Sequence, residues 1–190
     1  MIVFARHGQT ALNRSGRLQG RLDAPLSELG LEQAAGLSLE LANLPVTRIV
    51  ARPLQRAVQT ASAIAAPHGL DVETDERIIE LDYGEWDGVP LASVPASAWD
   101  DWRADPAYAP PGGESLQAVT ARVASFLDDA LRDDVTIAVS HVSPIKAAVC
   151  CALRVDERAS WRMHLGVASV TRLGTRPDGS PYLMSFNEFA

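Results

Sequence analysis

The chain has 190 residues, 47% of them hydrophobic and 22% charged, a balance that allows a sizeable core and excludes an intrinsically disordered protein. Its formal net charge of -7 argues against a general nucleic-acid binder, because a phosphate backbone calls for a basic face. No apolar run approaches the roughly 20 residues that a membrane helix needs.

Ile2–Ala5 is a short apolar run that stops at Arg6-His7-Gly8, the pattern of a buried strand opening into a loop. Ser27 caps a helix that the spacing of Ala34, Leu37, Leu41 and Leu44 carries to about Leu44. Arg48–Ala51 reads as a second strand. Pro53 fits the first turn of the next helix, with Leu54, Ala57, Val58, Ala61, Ile64 and Ala65 on its core face. His68-Gly69 ends that helix before a short strand at Asp71–Thr74. Residues 84–113 are rich in Pro and Gly and read as a loop-rich elaboration with one short helix at Ser97–Arg103. Gly112-Gly113-Glu114-Ser115 then breaks the chain and caps a strong helix, with Leu116, Val119, Val123, Phe126, Leu127 and Ala130 on one face. Val135–Val139 is the continuous apolar run of a central parallel strand; it ends at Ser140-His141, and Pro144 starts a helix to about Leu153. Ala168–Leu173 and Tyr182–Phe186 read as two strands joined by a turn at Pro177-Asp178-Gly179.

Strands alternating with helices predict an α/β fold of three layers, α/β/α. The central sheet is expected to be largely parallel, with helices on both faces and a C-terminal hairpin, all of it one domain over residues 1–190. The start, Met1 to Arg6, lacks the basic end and long apolar stretch of a signal peptide. Cys150 and Cys151 are adjacent, so neither a disulfide framework nor a zinc cage is available, and a cytoplasmic location is expected.

Such sheets bind ligands beyond the carboxyl ends of their strands, which singles out Arg6-His7, Arg52, Arg56 and Ser140-His141. Of 17 basic residues only Lys146 is not Arg, an enrichment that coding bias also produces. More telling is its distribution: residues 1–22 hold Arg6, Arg14, Arg17 and Arg21 and no acidic residue, so a small anion would be drawn there. Two His, several Arg and a Glu are the residue types of phosphoryl transfer. Guanidinium groups neutralise phosphoryl oxygens, an imidazole attacks phosphorus, and a carboxyl supplies the leaving oxygen with a proton. Rival chemistries lack their marks. There is no G-x-x-x-x-G-K-[ST], no G-x-S-x-G, and no Arg six positions after either cysteine. A metal site built on His7, His141 and carboxylates has no supporting local spacing.

Arg6-His7-Gly8-Gln9-Thr10-Ala11-Leu12-Asn13 fits R-H-G-x-T-x-x-N in type and spacing, and Arg17-Leu18-Gln19-Gly20 follows it. Then come Asp23-Ala24-Pro25-Leu26-Ser27 with Gly30 and Gln33-Ala34, and Pro53-Leu54-Gln55-Arg56-Ala57 with Thr60-Ala61. Glu80 precedes Gly84-Glu85-Trp86-Asp87-Gly88, and Gly113-Glu114-Ser115 and Ser140-His141 complete the order. Over residues 2 to about 150 this ordered set resembles the histidine phosphatase (phosphoglycerate mutase-like) superfamily; residues 155–190 add nothing specific. The resemblance implies that His7 is the nucleophile carrying a transient phosphohistidine, that Arg6 and Arg56 clamp the phosphoryl oxygens, and that His141 completes the pocket. Glu80 matches the proton donor and later activator of water, with Asp82, Glu85 and Asp87 as close alternatives. Asn13, Gln19, Gly20 and Tyr83 match positions that hold the phosphate or substrate. The resemblance implies no metal and no organic cofactor.

Two positions depart from the superfamily pattern. Arg52 stands where a small Ser usually precedes Pro-Leu, either contacting an anionic substrate or pointing outward. Val142 replaces the common Gly after His141; its side chain crowds the pocket, while its backbone N–H remains a candidate phosphate donor. Mutases of the superfamily carry a longer insertion between the Glu and the second His. Here 60 residues separate Glu80 from His141, which favours a metal-independent phosphomonoesterase over a 2,3-bisphosphoglycerate-dependent phosphoglycerate mutase. A reading of another class is a silent module that senses a phospho-ligand, against which stands the complete set His7, Arg56, Glu80 and His141. The expected partner is a small phosphorylated metabolite, with no nucleic acid and no membrane; a homodimer is compatible with the sequence. Residues 84–113 are expected to wall the substrate side.

Overall fold

The computed structural model describes residues 1–132 and 134–189. The apolar runs form β1 (Ile2–Arg6), β2 (Arg48–Ala51), β3 (Val72–Thr74), β4 (Thr136–Ser140), β5 (Ser169–Thr175) and β6 (Pro181–Phe189). They lie in one sheet in the order β3-β2-β4-β1-β5-β6. β1 pairs with β4, β4 with β2 and β2 with β3, all parallel; β5 is antiparallel to β1, and β6 to β5. This is the expected largely parallel sheet with a C-terminal hairpin. Its helices are α1 (Ala11–Arg14), α2 (Glu28–Leu41), α3 (Gln55–Ala65), α4 (Ala96–Ala104), α5 (Leu116–Ala130) and α6 (Val142–Leu153). Among the described residues no helix is long and apolar enough to cross a membrane.

Successive residues of a strand point to opposite faces, so an apolar run needs cover on both. Ile2 and Phe4 of β1, Val50 of β2 and Ala138 of β4 pack with Val119, Val123 and Phe126 of α5 and Ile145 and Ala148 of α6. Val3, Ala5, Ile49, Ala51, Ile137 and Val139 face the other way, onto Leu37 and Leu41 of α2 and Ala57, Ala61 and Ile64 of α3. These two cores give the three layers.

Element ends differ from expectation where distant groups intervene. α2 stops at Leu41, with Ala42 as its C-cap, while Leu44 packs on the core from beyond the helix. Asp23 accepts the Gln55 N–H at 2.7 Å, so α3 begins there and Pro53 lies outside it. The buried face of α3 is Arg56, Ala57, Thr60, Ala61, Ile64 and Ala65, and Val58 is exposed. α6 starts two residues before Pro144, with His141 as N-cap. Proline is tolerated there because first-turn N–H groups have no intrahelical acceptor. Thr10 and Asn13 form a capping box that closes the short α1, a helix the periodicity does not reveal.

The exit from β1 is fixed by backbone contact with α2. A Cβ on Gly30 would lie 2.1 Å from the Gln9 carbonyl oxygen, and one on Gly8 would lie 2.4 Å from that of Gly30. Only glycine permits that approach, and His7 leaves the sheet beside it.

Candidate active site

Arg6 of β1 stands opposite Ser140 of β4, so the next residues, His7 and His141, leave parallel strands side by side. The His7 N–H donates to the Ser140 carbonyl at 3.1 Å. The two rings are 5.1 Å apart between centroids and inclined by 58°. Both are buried, His7 being 3% exposed and His141 0%.

Their hydrogen bonds select opposite tautomers. His7 Nδ1 lies 2.7 Å from the Gly8 carbonyl oxygen; a carbonyl only accepts, so Nδ1 carries the proton and Nε2 keeps a lone pair. Arg56 Nε donates to His141 Nδ1 at 3.3 Å; a guanidinium only donates, so the His141 proton sits on Nε2. That Nε2 is buried without a partner among the described residues. Burial and the charges of Arg6 and Arg56 hold the His7 imidazole well below its ordinary range. Burial and Arg56 do the same for His141, so both rings are neutral at pH 7.

Arg56 reaches the site from α3 and is fully buried, with Nη1 donating to the Leu22 carbonyl at 2.9 Å and Nη2 to that of Gly20 at 2.7 Å. The loop presenting those carbonyls is held in turn by Asp87. Its carboxylate accepts the N–H groups of Gly20, Arg21 and Leu22 at 2.7, 2.8 and 2.8 Å. Gly20 passes so close to the 81–83 segment that a Cβ would lie 2.7 Å from the Leu81 oxygen. Arg6 Nη1 donates to the Leu165 carbonyl at 2.6 Å, and its Nε is buried without a partner among the described residues. Burial lowers Arg6 to about 10 against the opposing pull of Glu80, which leaves it charged at neutral pH.

Glu80 is 3% exposed and sits at the start of α6. Its Oε1 accepts from the Leu81 and Ser143 N–H groups at 2.8 and 3.1 Å, and Oε2 from that of Val142 at 3.0 Å. The Val142 N–H, a candidate phosphate donor in the sequence, is therefore engaged by Glu80. Burial and the Glu80 charge push the Tyr83 phenol above its usual range, while a hydrogen bond with Ser143 pulls the other way. Gln19 Oε1 accepts from Thr10 Oγ1 at 2.6 Å and Asn13 Nδ2 at 3.3 Å, which turns its buried Nε2 into a donor with no partner among the described residues.

Other sequence candidates go elsewhere. Of the early arginines only Arg6 joins the histidines: Arg17 donates to the Gly88 carbonyl and Arg21 pairs with Asp82 and Glu114. Arg52 pairs with Glu76. Asp82 accepts from the Gly84 N–H and Glu85 is exposed, so neither takes the place of Glu80. Thr60, whose Oγ1 accepts the Gly8 N–H at 3.2 Å, and Asp87 both stand in the motif blocks, but the sequence assigns Thr60 no role at the site and Asp87 only that of a rival to Glu80. Among the described residues no three His, Cys, Asp or Glu side chains converge as metal ligands.

Residues 2–188 match the histidine phosphatase superfamily (branch 1). The chain belongs to this superfamily. As a histidine phosphatase superfamily member it is 33% identical over 196 residues to a bifunctional protein of Mycobacterium tuberculosis, covering 98% of this chain and 53% of that one. It is 36% identical over 167 residues to phosphoserine phosphatase 1 of Hydrogenobacter thermophilus, covering 84% and 79%. The structure of mycobacterial glucosyl-3-phosphoglycerate phosphatase with VO3 superposes at a TM-score of 0.90, with 31% identity and 98% of each chain covered. This superfamily member thus spans about half the length of the mycobacterial bifunctional relative that it matches.

Proposed function

We propose that this superfamily member is a phosphomonoesterase that passes the phosphoryl group of a small phosphorylated metabolite through His7 to water, using no metal or organic cofactor. The observation that carries the reading is the complementary pair: a bare Nε2 on buried, neutral His7 and an unpartnered Nε2–H on His141, with their centroids 5.1 Å apart. One ring can attack phosphorus while the other donates to a phosphoryl oxygen.

In this mechanism His7 Nε2 attacks phosphorus, and the P–O bond to the alcohol breaks with its electron pair going to oxygen. Glu80, in its protonated form, gives that oxygen its proton. Water then attacks the phosphohistidine and returns a proton to the Glu80 carboxylate. The P–N bond breaks, restoring the Nε2 lone pair and releasing inorganic phosphate. Arg6, Arg56, the His141 Nε2–H and the Gln19 amide supply fixed positive charge and donors, which cost no reorganisation as charge spreads over the phosphoryl oxygens.

The test is turnover of p-nitrophenyl phosphate in EDTA, with quenching to trap a phosphoenzyme. Release of phosphate and an acid-labile, base-stable phosphoenzyme, both absent from His7→Ala, are expected. Undiminished turnover in His7→Ala would end the reading. A coupled assay of 2- and 3-phosphoglycerate interconversion separates hydrolysis from mutase transfer.

A further inference from the structure

A cavity of about 160 Å3 opens at the start of α6, lined on one side by Val142, which follows His141, and Ser143, the residues whose N–H groups hold Glu80. Three of the four tryptophans of the chain, Trp99, Trp102 and Trp161, line it together with Tyr83 and Leu18. Trp99 and Trp102 stack at 5.6 Å and 11°, and Trp161 meets them edge-on at 6.1 and 5.3 Å. An apolar cavity of this size accommodates a benzene-sized body.

One charge enters this wall. Lys146, the only lysine of the chain, lies on α6 one turn beyond Val142 and hence on the same side of the helix. Among the described residues its ammonium forms no hydrogen bond or ion pair. Burial lowers its proton affinity, and it lies close enough to Glu80 and Arg6 to feel both. Two more donors are idle in the same wall: the indole N–H groups of Trp102 and Trp161 are buried with no partner among the described residues. Buried donors such as the two indoles are normally matched, and the complement of these and the half-buried Lys146 ammonium is a group that only accepts. A single ammonium balances a single negative charge, which favours a carboxylate over a second phosphate.

We propose that this cavity is the subsite for the alcohol half of the substrate and that Lys146, with the indole N–H groups of Trp102 and Trp161, binds a carboxylate there. The preferred substrates are then phosphomonoesters of compact hydroxy acids with an apolar or planar body. Glu80, held by the N–H groups of Val142 and Ser143 in the cavity wall, is then the proton donor on the side of the alcohol half. The inference rests on the phosphomonoesterase reading for its substrate but not for its binding step.

The full chain is titrated with 3-hydroxybenzoate, read by tryptophan fluorescence. A saturable change is expected, with Kd raised at least about 10-fold in Lys146→Met and largely restored in Lys146→Arg, as for loss of one charge-assisted hydrogen bond. In parallel, kcat/KM for 3-carboxyphenyl phosphate is expected to exceed that for phenyl phosphate by about 10-fold, and Lys146→Met to collapse this ratio through KM. Unaltered hydroxybenzoate binding, or an unaltered ratio, in Lys146→Met overturns the proposal. If hydroxybenzoate binds through Lys146 and neither ester is hydrolysed, the subsite stands and the phosphomonoesterase reading falls.

Discussion

Arg56 and His141 are joined by one buried hydrogen bond, Nε to Nδ1 at 3.3 Å, and its direction decides which imidazole nitrogen keeps the proton. The same guanidinium holds the Gly20 and Leu22 carbonyls. A lysine has the charge but not the planar fork to meet three acceptors at once. Arg56→Lys is therefore expected to lose kcat by about 100- to 1000-fold, nearly as much as Arg56→Ala. Steady-state kinetics on p-nitrophenyl phosphate checks this; a near-normal lysine variant would show that charge alone suffices.

Asp87 acts one step further back. Three backbone N–H groups lose their acceptor in Asp87→Ala, and the carbonyls that orient Arg56 lose their support. Stability should fall by about 2 kcal/mol, measured by urea unfolding. The more informative readout is kcat, expected to drop about 10-fold at temperatures where the variant is fully folded, because the guanidinium is no longer aimed.

Much of this was legible beforehand, and the exceptions have physical causes. β1, β2 and β4 are buried on both faces, so they read as plain apolar runs, and their carboxyl ends located His7 and His141. Arg56 looked like a residue off the apolar stripe because a buried cation breaks the pattern; its acceptors come from residues 20 and 22. The start of α3 depends on Asp23, 32 positions earlier, which no local window contains. Trp161, Leu165 and Ala168 lie in the stretch that carried no motif, yet they reach the aromatic cavity, Arg6 and His7. Lys146 stood out only in a count of residue types.

The buried imidazoles make stability depend on pH. In the folded state both are depressed well below the ordinary value, whereas the unfolded chain takes up protons near pH 6.5. Below about pH 6.5 the unfolded state binds more protons, so stability falls as pH falls, by up to about 1.4 kcal/mol per pH unit for each ring. The contribution is whole above that value. Urea titrations at several pH values should show a shallower acid-side slope in His7→Asn than in the wild type; equal slopes would mean that His7 is not held neutral.

Gly30 tests the contact that aims His7. An alanine there would put its Cβ 2.1 Å from the Gln9 carbonyl oxygen, a backbone atom that cannot swing aside. Gly30→Ala is expected to cost about 1–3 kcal/mol in thermal or urea unfolding and to reduce turnover in the fraction that folds. A variant as stable as the wild type would show that the loop and α2 can part without consequence.

The first strand lies between β4 and β5, and the His7 carbonyl accepts the Ala168 N–H at 3.1 Å. During synthesis, then, His7 leaves the ribosome 161 residues ahead of Ala168, which encloses it. At about 5–20 residues per second this interval lasts on the order of ten seconds or more. Until the segment around Ala168 has been made, β1 lacks the neighbour that shuts one side of His7, so the pocket closes long after its first histidine has been placed in the chain.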